Sequence, residues 1–152
     1  MHNSFEELCI AHKSECESND CGVRSKVAVE KGKRFEIVSN EDFIKLRIDD
    51  CLVKSQQVKK CDFGFVRNSN KEFYFVELKG SDIDTAYEQI INTIDIFQRE
   101  LIQIPKPQRY GFIVSSKVPK SGTDVNNLKQ DFAKNRGNKL EIKNRDLRHS
   151  PK

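Results

Sequence analysis

The segment from residue 59 to residue 101 constrains the fold more than any other part of this 152-residue chain. Residues 59–66 and 72–78 are strand-like runs separated by a polar four-residue turn, Asn68 to Lys71, which predicts a β-hairpin. The hydrophobic period then changes to steps of four and three, which is typical of an amphipathic helix, at Ile83, Tyr87, Ile90, Ile94, Phe97 and Leu101. Ser81 with Asp84 forms a capping-box pattern at the start of this helix.

Weaker patterns predict the other elements. In chain order they are a helix (residues 5–16), two strands (34–38 and 43–53), a strand (111–114), a helix (126–134) and an edge strand (140–142), while residues 148–152 are expected to fray. Strands followed by a long helix and a further strand indicate an α/β fold, with a mixed sheet flanked by helices. The length predicts a single domain, residues 1–152.

Composition narrows the classes of protein. Ten Phe residues and 36% hydrophobic residues are enough for a core, so a disordered chain is excluded. The apolar runs are far shorter than the roughly 20 residues that span a bilayer, so no membrane partner is expected. The first residues have neither a basic flank nor an apolar stretch of the secretory kind, which favours a cytoplasmic location.

The hairpin brings chemically active side chains together. With a four-residue turn, paired residues have numbers that sum to 139, so Asp62 faces Glu77, and Lys79 follows on the same face. The opposite face is predicted to hold apolar and aromatic side chains: Cys61, Phe63, Phe65, Tyr74, Val76 and Leu78. Opposed carboxylates repel, and Mg²⁺ would relieve the repulsion through Asp62, Glu77 and the carbonyl of Leu78. Lys79 would then act on a water nucleophile or on phosphate charge.

These residues also match a known motif. Cys61-Asp62, fourteen residues and then Glu77-Leu78-Lys79 resembles the core of the PD-(D/E)xK nuclease superfamily, with Cys61 where many members have proline. The resemblance implies a restriction-endonuclease-like core of order αβββαβ and a Mg²⁺- or Mn²⁺-dependent hydrolase that cleaves phosphodiester bonds, with DNA favoured over RNA. It assigns Asp62 and Glu77 to the metal and Lys79 to catalysis.

The same resemblance suggests two supporting features. Gln89, ten residues after Lys79, takes a weaker catalytic role. An additional acid from the first helix would be Glu7, Glu15 or Glu30, which the sequence does not rank.

The charge of the chain is uneven. Residues 117–152 carry ten basic and four acidic side chains, whereas residues 1–116 carry 17 and 19. Such a basic C-terminal region suits phosphate-backbone contact, although a solvated tail has the same composition. The candidate nucleic-acid-binding residues are Lys117, Lys120, Lys134, Arg136, Lys139 and Lys143. The stripe of the long helix is expected in the core, with a homodimer interface as the alternative.

Other interpretations stay open. The hairpin acids could be a surface salt-bridge cluster, and Asp49 and Asp50 could join the metal site, although solvated turn acids are favoured. Five cysteines without regular spacing favour reduced, buried thiols, with a zinc cluster as the weaker alternative, formed by Cys9, His12, Cys16 and Cys21. As whole-protein alternatives we consider a catalytically inactive nuclease-like module that binds nucleic acid or protein, and a small regulatory protein whose basic tail docks an acidic partner.

Overall fold

The computed structural model describes residues 1–16, 21–78, 82–116 and 122–152. The helices are α1 (Phe5–His12), α2 (Ile83–Ile96) and α3 (Gly122–Asn135), and α2 continues into a π-helical turn, Phe97–Leu101. The strands are β1 (Val23–Arg24), β2 (Val27–Glu30), β3 (Lys33–Ile37), β4 (Phe43–Arg47), β5 (Phe63–Arg67), β6 (Phe73–Glu77), β7 (Arg109–Ser115), β8 (Lys139–Asn144) and β9 (Asp146–His149).

A six-stranded mixed sheet forms the centre of the molecule. Its strand order is β1-β4-β5-β6-β7-β8; the pairs from β1 to β6 are antiparallel, and β7 and β8 run parallel to β6. A second sheet has the order β2-β3-β9. The α/β prediction with a mixed sheet and packed helices is therefore confirmed.

Each face of the central sheet has its own apolar core. Side chains alternate between the two faces of a strand, so Phe73 and Phe75 pack on the side of the helices, with Ile90 and Ile94 of α2. Tyr74 and Val76 lie in the cluster that the second sheet covers with Phe35, Ile37 and Leu147. The fold therefore has three layers. Along a central strand, alternate residues enter the helix-side core and the core between the two sheets.

The predicted hairpin register is confirmed. Phe63 pairs with Val76 and Val66 with Phe73, which are sums of 139, and the amide of Arg67 donates to the carbonyl of Glu72 at 2.9 Å. The placement of Cys61 was wrong: it precedes β5, where the regular alternation has not begun, and it packs in the helix-side core.

Three other expectations need correction. Residues 43–53 do not form one strand, because β4 ends at Arg47 and a turn follows. Residues 148–152 do not fray: β9 pairs in parallel with β3, and the carbonyl of Lys152 accepts from Arg67 at 3.0 Å. Asp82 is the cap of α2, with a side chain that accepts from the amide of Thr85, while the predicted cap Ser81 lies outside the described residues.

The cysteines also differ from expectation. Cys16 and Cys51 form a disulfide across 35 residues of sequence, so the prediction of reduced thiols is wrong for this pair. Cys9, Cys21 and Cys61 are free thiols.

Among the described helices, none combines the length and the apolar character that a bilayer crossing requires.

Candidate active site at the end of the central hairpin

Asp62 and Glu77 lie at the same end of the hairpin. Asp62 immediately precedes β5 and Glu77 ends β6, and the amide of Asp62 donates to the carbonyl of Val76 at 3.1 Å, which ties the segment before β5 to β6. Asp62 is 4% exposed and Glu77 is fully buried. The two acids therefore do not lie at the surface, while Lys79, the third member of the predicted salt-bridge cluster, lies outside the described residues.

Backbone contacts fix the position of Asp62. Its Oδ2 accepts a hydrogen bond from the amide of Leu78 at 2.8 Å. Its carbonyl accepts from the amides of Ile48 and Asp49, at 3.0 and 3.3 Å. The carboxylate is therefore held against the strand that carries Glu77, and the turn after β4 is tied to the same residue.

Asp62 opens onto a pocket of about 280 Å³, which is also lined by Asp49, Lys60 and Gln89. Asp49 therefore joins the candidate site, contrary to its favoured interpretation as a solvated turn acid. Asp50 is placed differently, because its carboxylate lies 3.3 Å from the ammonium of Lys54.

Lys60 is a site residue that the sequence interpretation missed. It is only 7% exposed, its Nζ lies 3.6 Å from Oδ1 of Asp49, and it donates to the carbonyl of Ser55. Buried lysines are rare unless they are paired. In the sequence, only its position two residues before Asp62 pointed to the site. The strand pattern of residues 59–66 led us to interpret Lys60 as the polar start of a strand.

Gln89 reaches the pocket from α2. Its Nε2 donates to the carbonyl of Lys60 at 3.3 Å, and Oε1 is buried without a hydrogen-bond partner among the described residues. One turn later, Thr93 donates to the carbonyl of Gln89 at 2.6 Å and accepts from the amide of Cys61 at 2.9 Å. Thus α2 is fastened to the segment that carries Asp62, with an amide oxygen left beside the pocket.

Cys61 lies close to both acids. Burial, followed by the negative charge of Glu77 and then that of Asp62, raises the pKa of its thiol well above the ordinary value, against a hydrogen bond to Thr93 that lowers it. Cys61 is consequently a neutral, inert thiol. It is not a nucleophile for this pocket.

The other predicted site residues are dispersed. Lys79, Lys117 and Lys120 lie outside the described residues. Lys134 lies in the last turn of α3, and Arg136 directly follows the helix, with its Nη1 3.4 Å from Oδ1 of Asp95 of α2.

Lys139 and Lys143 lie at opposite ends of β8 and are both exposed. They alternate with Leu140 and Ile142 of the helix-side core, so they extend from the face opposite Asp62. The described basic residues are therefore not gathered into one patch beside the pocket.

The candidates for an additional acid also lie elsewhere. Glu7 accepts from the amide of Asn3 at 2.9 Å and so closes the N-terminal cap of α1. Glu15 lies 3.1 Å from His12, and Glu30 is in β2 of the second sheet. None of the three lines the pocket that Asp62 opens onto.

The donor atoms at this end of the hairpin suit a hard divalent cation. Carboxylate, carbonyl and amide oxygens are the ligands that Mg²⁺ and Mn²⁺ prefer, and Mg²⁺ commonly uses one or two protein carboxylates. Asp62, Asp49 and Gln89 offer such oxygens at one pocket, whereas Glu77 is fully buried and is not among the residues that line it. The donor atoms at this pocket are of the kind that Mg²⁺ binds, and a cation held by Asp62 and Glu77 stays a prediction.

Comparisons with models of protein families, with curated proteins and with solved structures found no match to this chain.

Proposed function

We propose that the protein is a metal-dependent nuclease of the PD-(D/E)xK kind, which hydrolyses phosphodiester bonds in DNA, with RNA as the second substrate to be tested. The observation that carries the proposal is the pair of buried acids, Asp62 and Glu77, at one hairpin end beside an open polar pocket. Carboxylate and carbonyl oxygens at such a place are a donor set that a catalytic divalent cation uses.

The order of elements supports the same proposal. Helix α1, the antiparallel strands β4, β5 and β6, helix α2 and the parallel strand β7 follow the αβββαβ order of a restriction-endonuclease-like core. The short strands β1, β2 and β3 are then an insertion between the first helix and this core.

Asp62, Glu77 and the carbonyl of Leu78 would hold the cation. Bound there, Mg²⁺ would supply Lewis acidity toward a phosphate oxygen and an acidified water. The Leu78 amide keeps the Asp62 carboxylate oriented, and the α2 contacts hold Gln89 at the pocket. The ammonium of Lys60 contributes positive charge beside Asp49, where a phosphate would approach. Lys79 keeps its proposed role toward the water or the transition state.

The test is a cleavage assay on a panel of substrates: plasmid, linear, single-stranded and branched DNA, and RNA, each with Mg²⁺, Mn²⁺ or EDTA. We expect metal-dependent cleavage of at least one DNA substrate, and Asp62→Asn should reduce its rate by more than a hundredfold because a ligand is lost. Asp50→Asn is the matched control, since this acid pairs with Lys54, and it should retain the wild-type rate.

Two outcomes would reject the proposal. If wild-type protein cleaves nothing in the panel but still binds nucleic acid, the inactive binding module is the correct interpretation. If Asp62→Asn cleaves at the wild-type rate, any nuclease activity arises elsewhere.

A further inference from the structure

Four of the five cysteines converge from separate parts of the chain. Cys9 lies on α1, Cys16 follows the short helical turn after it, Cys21 precedes β1, and Cys51 lies in the turn after β4. The sulfur atoms of Cys16, Cys21 and Cys51 all lie within 4.8 Å of one another. The thiol of Cys9 is hydrogen-bonded to that of Cys21. We call these four residues the cysteine cluster.

A disulfide accounts for only half of this cluster. Cys16 and Cys51 are bonded, with Cα atoms 4.5 Å apart, whereas Cys9 and Cys21 are free thiols beside them. A single cross-link needs two sulfurs. A convergence of four sulfurs is the ligand number of a structural tetrahedral metal site.

Backbone contacts hold Cys21 in position. The amide of Gly22 donates to the carbonyl of Lys45 at 2.8 Å, and the amide of Arg47 is hydrogen-bonded to the sulfur of Cys21. Gly22 has φ +78°, and a Cβ there would lie 3.4 Å from Cβ of Cys9. The left-handed glycine thus lets the chain pass directly beside α1. Amide donors on sulfur orient and stabilise metal-binding thiolates.

We propose that Cys9, Cys16, Cys21 and Cys51 bind one Zn²⁺ ion as four thiolates when the Cys16–Cys51 disulfide is reduced. A dithiol or phosphine reductant supplies two electrons, the S–S bond breaks into two thiols, and the ion displaces the thiol protons into solvent. Structural zinc sites take four tetrahedral ligands, with Zn–S bonds of about 2.3 Å. The sulfurs of Cys16, Cys21 and Cys51 lie within 4.8 Å of one another, and Cys9, outside that group of three, adjoins Cys21.

The zinc site would also stabilise the turn next to the candidate active site. Cys51 lies in the turn whose Ile48 and Asp49 amides donate to the carbonyl of Asp62. The zinc proposal rests on the four sulfurs alone, so the result of a nuclease assay neither supports nor contradicts it.

The test is a titration of the full-length chain with Co²⁺, a coloured substitute for Zn²⁺, after reduction with a phosphine and without oxygen. We expect thiolate-to-cobalt absorption that saturates at one ion per chain and disappears when Zn²⁺ is added. Cys9→Ser and Cys51→Ser should weaken the apparent affinity at least tenfold. The matched control is Cys61→Ser, because Cys61 is a free thiol outside the cluster, and it should leave the titration unchanged.

Alkylation keeps the proposal testable if the serine variants do not fold. Zinc should protect Cys9, Cys16, Cys21 and Cys51 of the reduced wild-type chain from iodoacetamide, as measured by peptide mass spectrometry, and should not alter labelling of Cys61. Absence of thiolate-to-cobalt absorption in the reduced wild type, or equal labelling of the cluster with and without zinc, would overturn the proposal. An iron–sulfur chromophore in protein purified without oxygen would overturn it too.

Discussion

At the scale of single residues, the central hairpin has almost no spare volume. Gly64 of β5 lies under the ring of Phe73, and a Cβ added to it would lie 2.7 Å from Cε1 of that ring. Phe73 cannot easily move, because it stacks on Phe5 and packs against Phe97. The glycine is therefore a packing requirement, two residues from Asp62.

We expect Gly64→Ala to lower the free energy of unfolding by about 1–3 kcal/mol through overpacking. Chemical denaturation measures this change. Phe73→Leu in the same chain should remove the clash, so the double variant should be more stable than the sum of the single effects predicts. If the stability changes of the two single variants simply add in the double variant, Phe73 is not what prevents a larger residue at position 64.

A second residue-scale feature is the buried cation Arg67. Its Nε and one terminal nitrogen donate to both carboxylate oxygens of Glu41, and its Nη1 lies 3.0 Å from Glu72. The hydrogen bond from Arg67, followed by that from Ser69, lowers the pKa of Glu41 from 4.5 to about 2.

This shift predicts the direction of an acid effect. Unfolded Glu41 takes up a proton near pH 4.5 and the folded residue only near about 2, so its contribution to stability is complete above pH 4.5 and is lost as the pH falls through that interval. Urea midpoints measured from pH 6 to pH 2 should fall less steeply for Glu41→Gln than for the wild type. If the urea midpoints of the two proteins fall equally steeply with pH, the acid effect does not arise from Glu41.

At the scale of elements, regular patterns were predictable and irregular ends were not. The hairpin register follows from alternation and turn length, which are local properties of the sequence, and the pairs from Phe63–Val76 to Val66–Phe73 agree with it. The same alternation misplaced Cys61, because the strand begins only at Phe63. The alternation also did not identify Lys60 as a buried site residue, because its contacts are with Asp49 and Ser55 in the segment after β4.

Helix α2 shows the same limit at its start. A capping-box pattern at Ser81 and Asp84 competed with Asp82, whose carboxylate caps the amide and the hydroxyl of Thr85 at 2.8 and 2.9 Å. Sequence alone identifies the helix but not which of two adjacent polar residues caps it.

Asp82→Ala should therefore destabilise the protein by about 1 kcal/mol, because an amide of the first turn loses its partner. Asp82→Asn should recover most of that loss. Asp84→Ala is the comparison, since it removes only a first-turn charge. Thermal melts rank the stabilities of the three variants. An Asp84→Ala variant less stable than Asp82→Ala would contradict the assignment of Asp82 as the cap.

At the scale of the whole molecule, the parts that sequence could not predict are those held by distant partners. Strand β9 has four residues and pairs with β3 more than 100 positions earlier, so no local pattern announces it. Cys51 likewise lies 30 residues from Cys21, and only the fold shows that they belong together. The basic residues after position 117 formed one region in sequence, yet the described ones lie at different ends and faces of the sheet.

The second sheet gives a stability prediction. Leu147 of β9 is 1% exposed in the core between the sheets, so Leu147→Ala should lower the free energy of unfolding by about 2–5 kcal/mol. The neighbouring Arg148, with a side chain 67% exposed, should tolerate alanine with little change. Equal stabilities of the two variants would mean that β9 does not dock.

The central claim is that the buried acids Asp62 and Glu77 hold a divalent cation, and calorimetric titration with Mn²⁺ tests it most directly. We predict binding to the wild type and to Asp50→Asn, and none above background to Glu77→Gln, with circular dichroism showing that all three chains are folded. Manganese prefers oxygen ligands, so the cysteine cluster should not contribute. A wild-type chain that binds no Mn²⁺, or a folded Glu77→Gln chain that binds it with wild-type affinity, would contradict the claim.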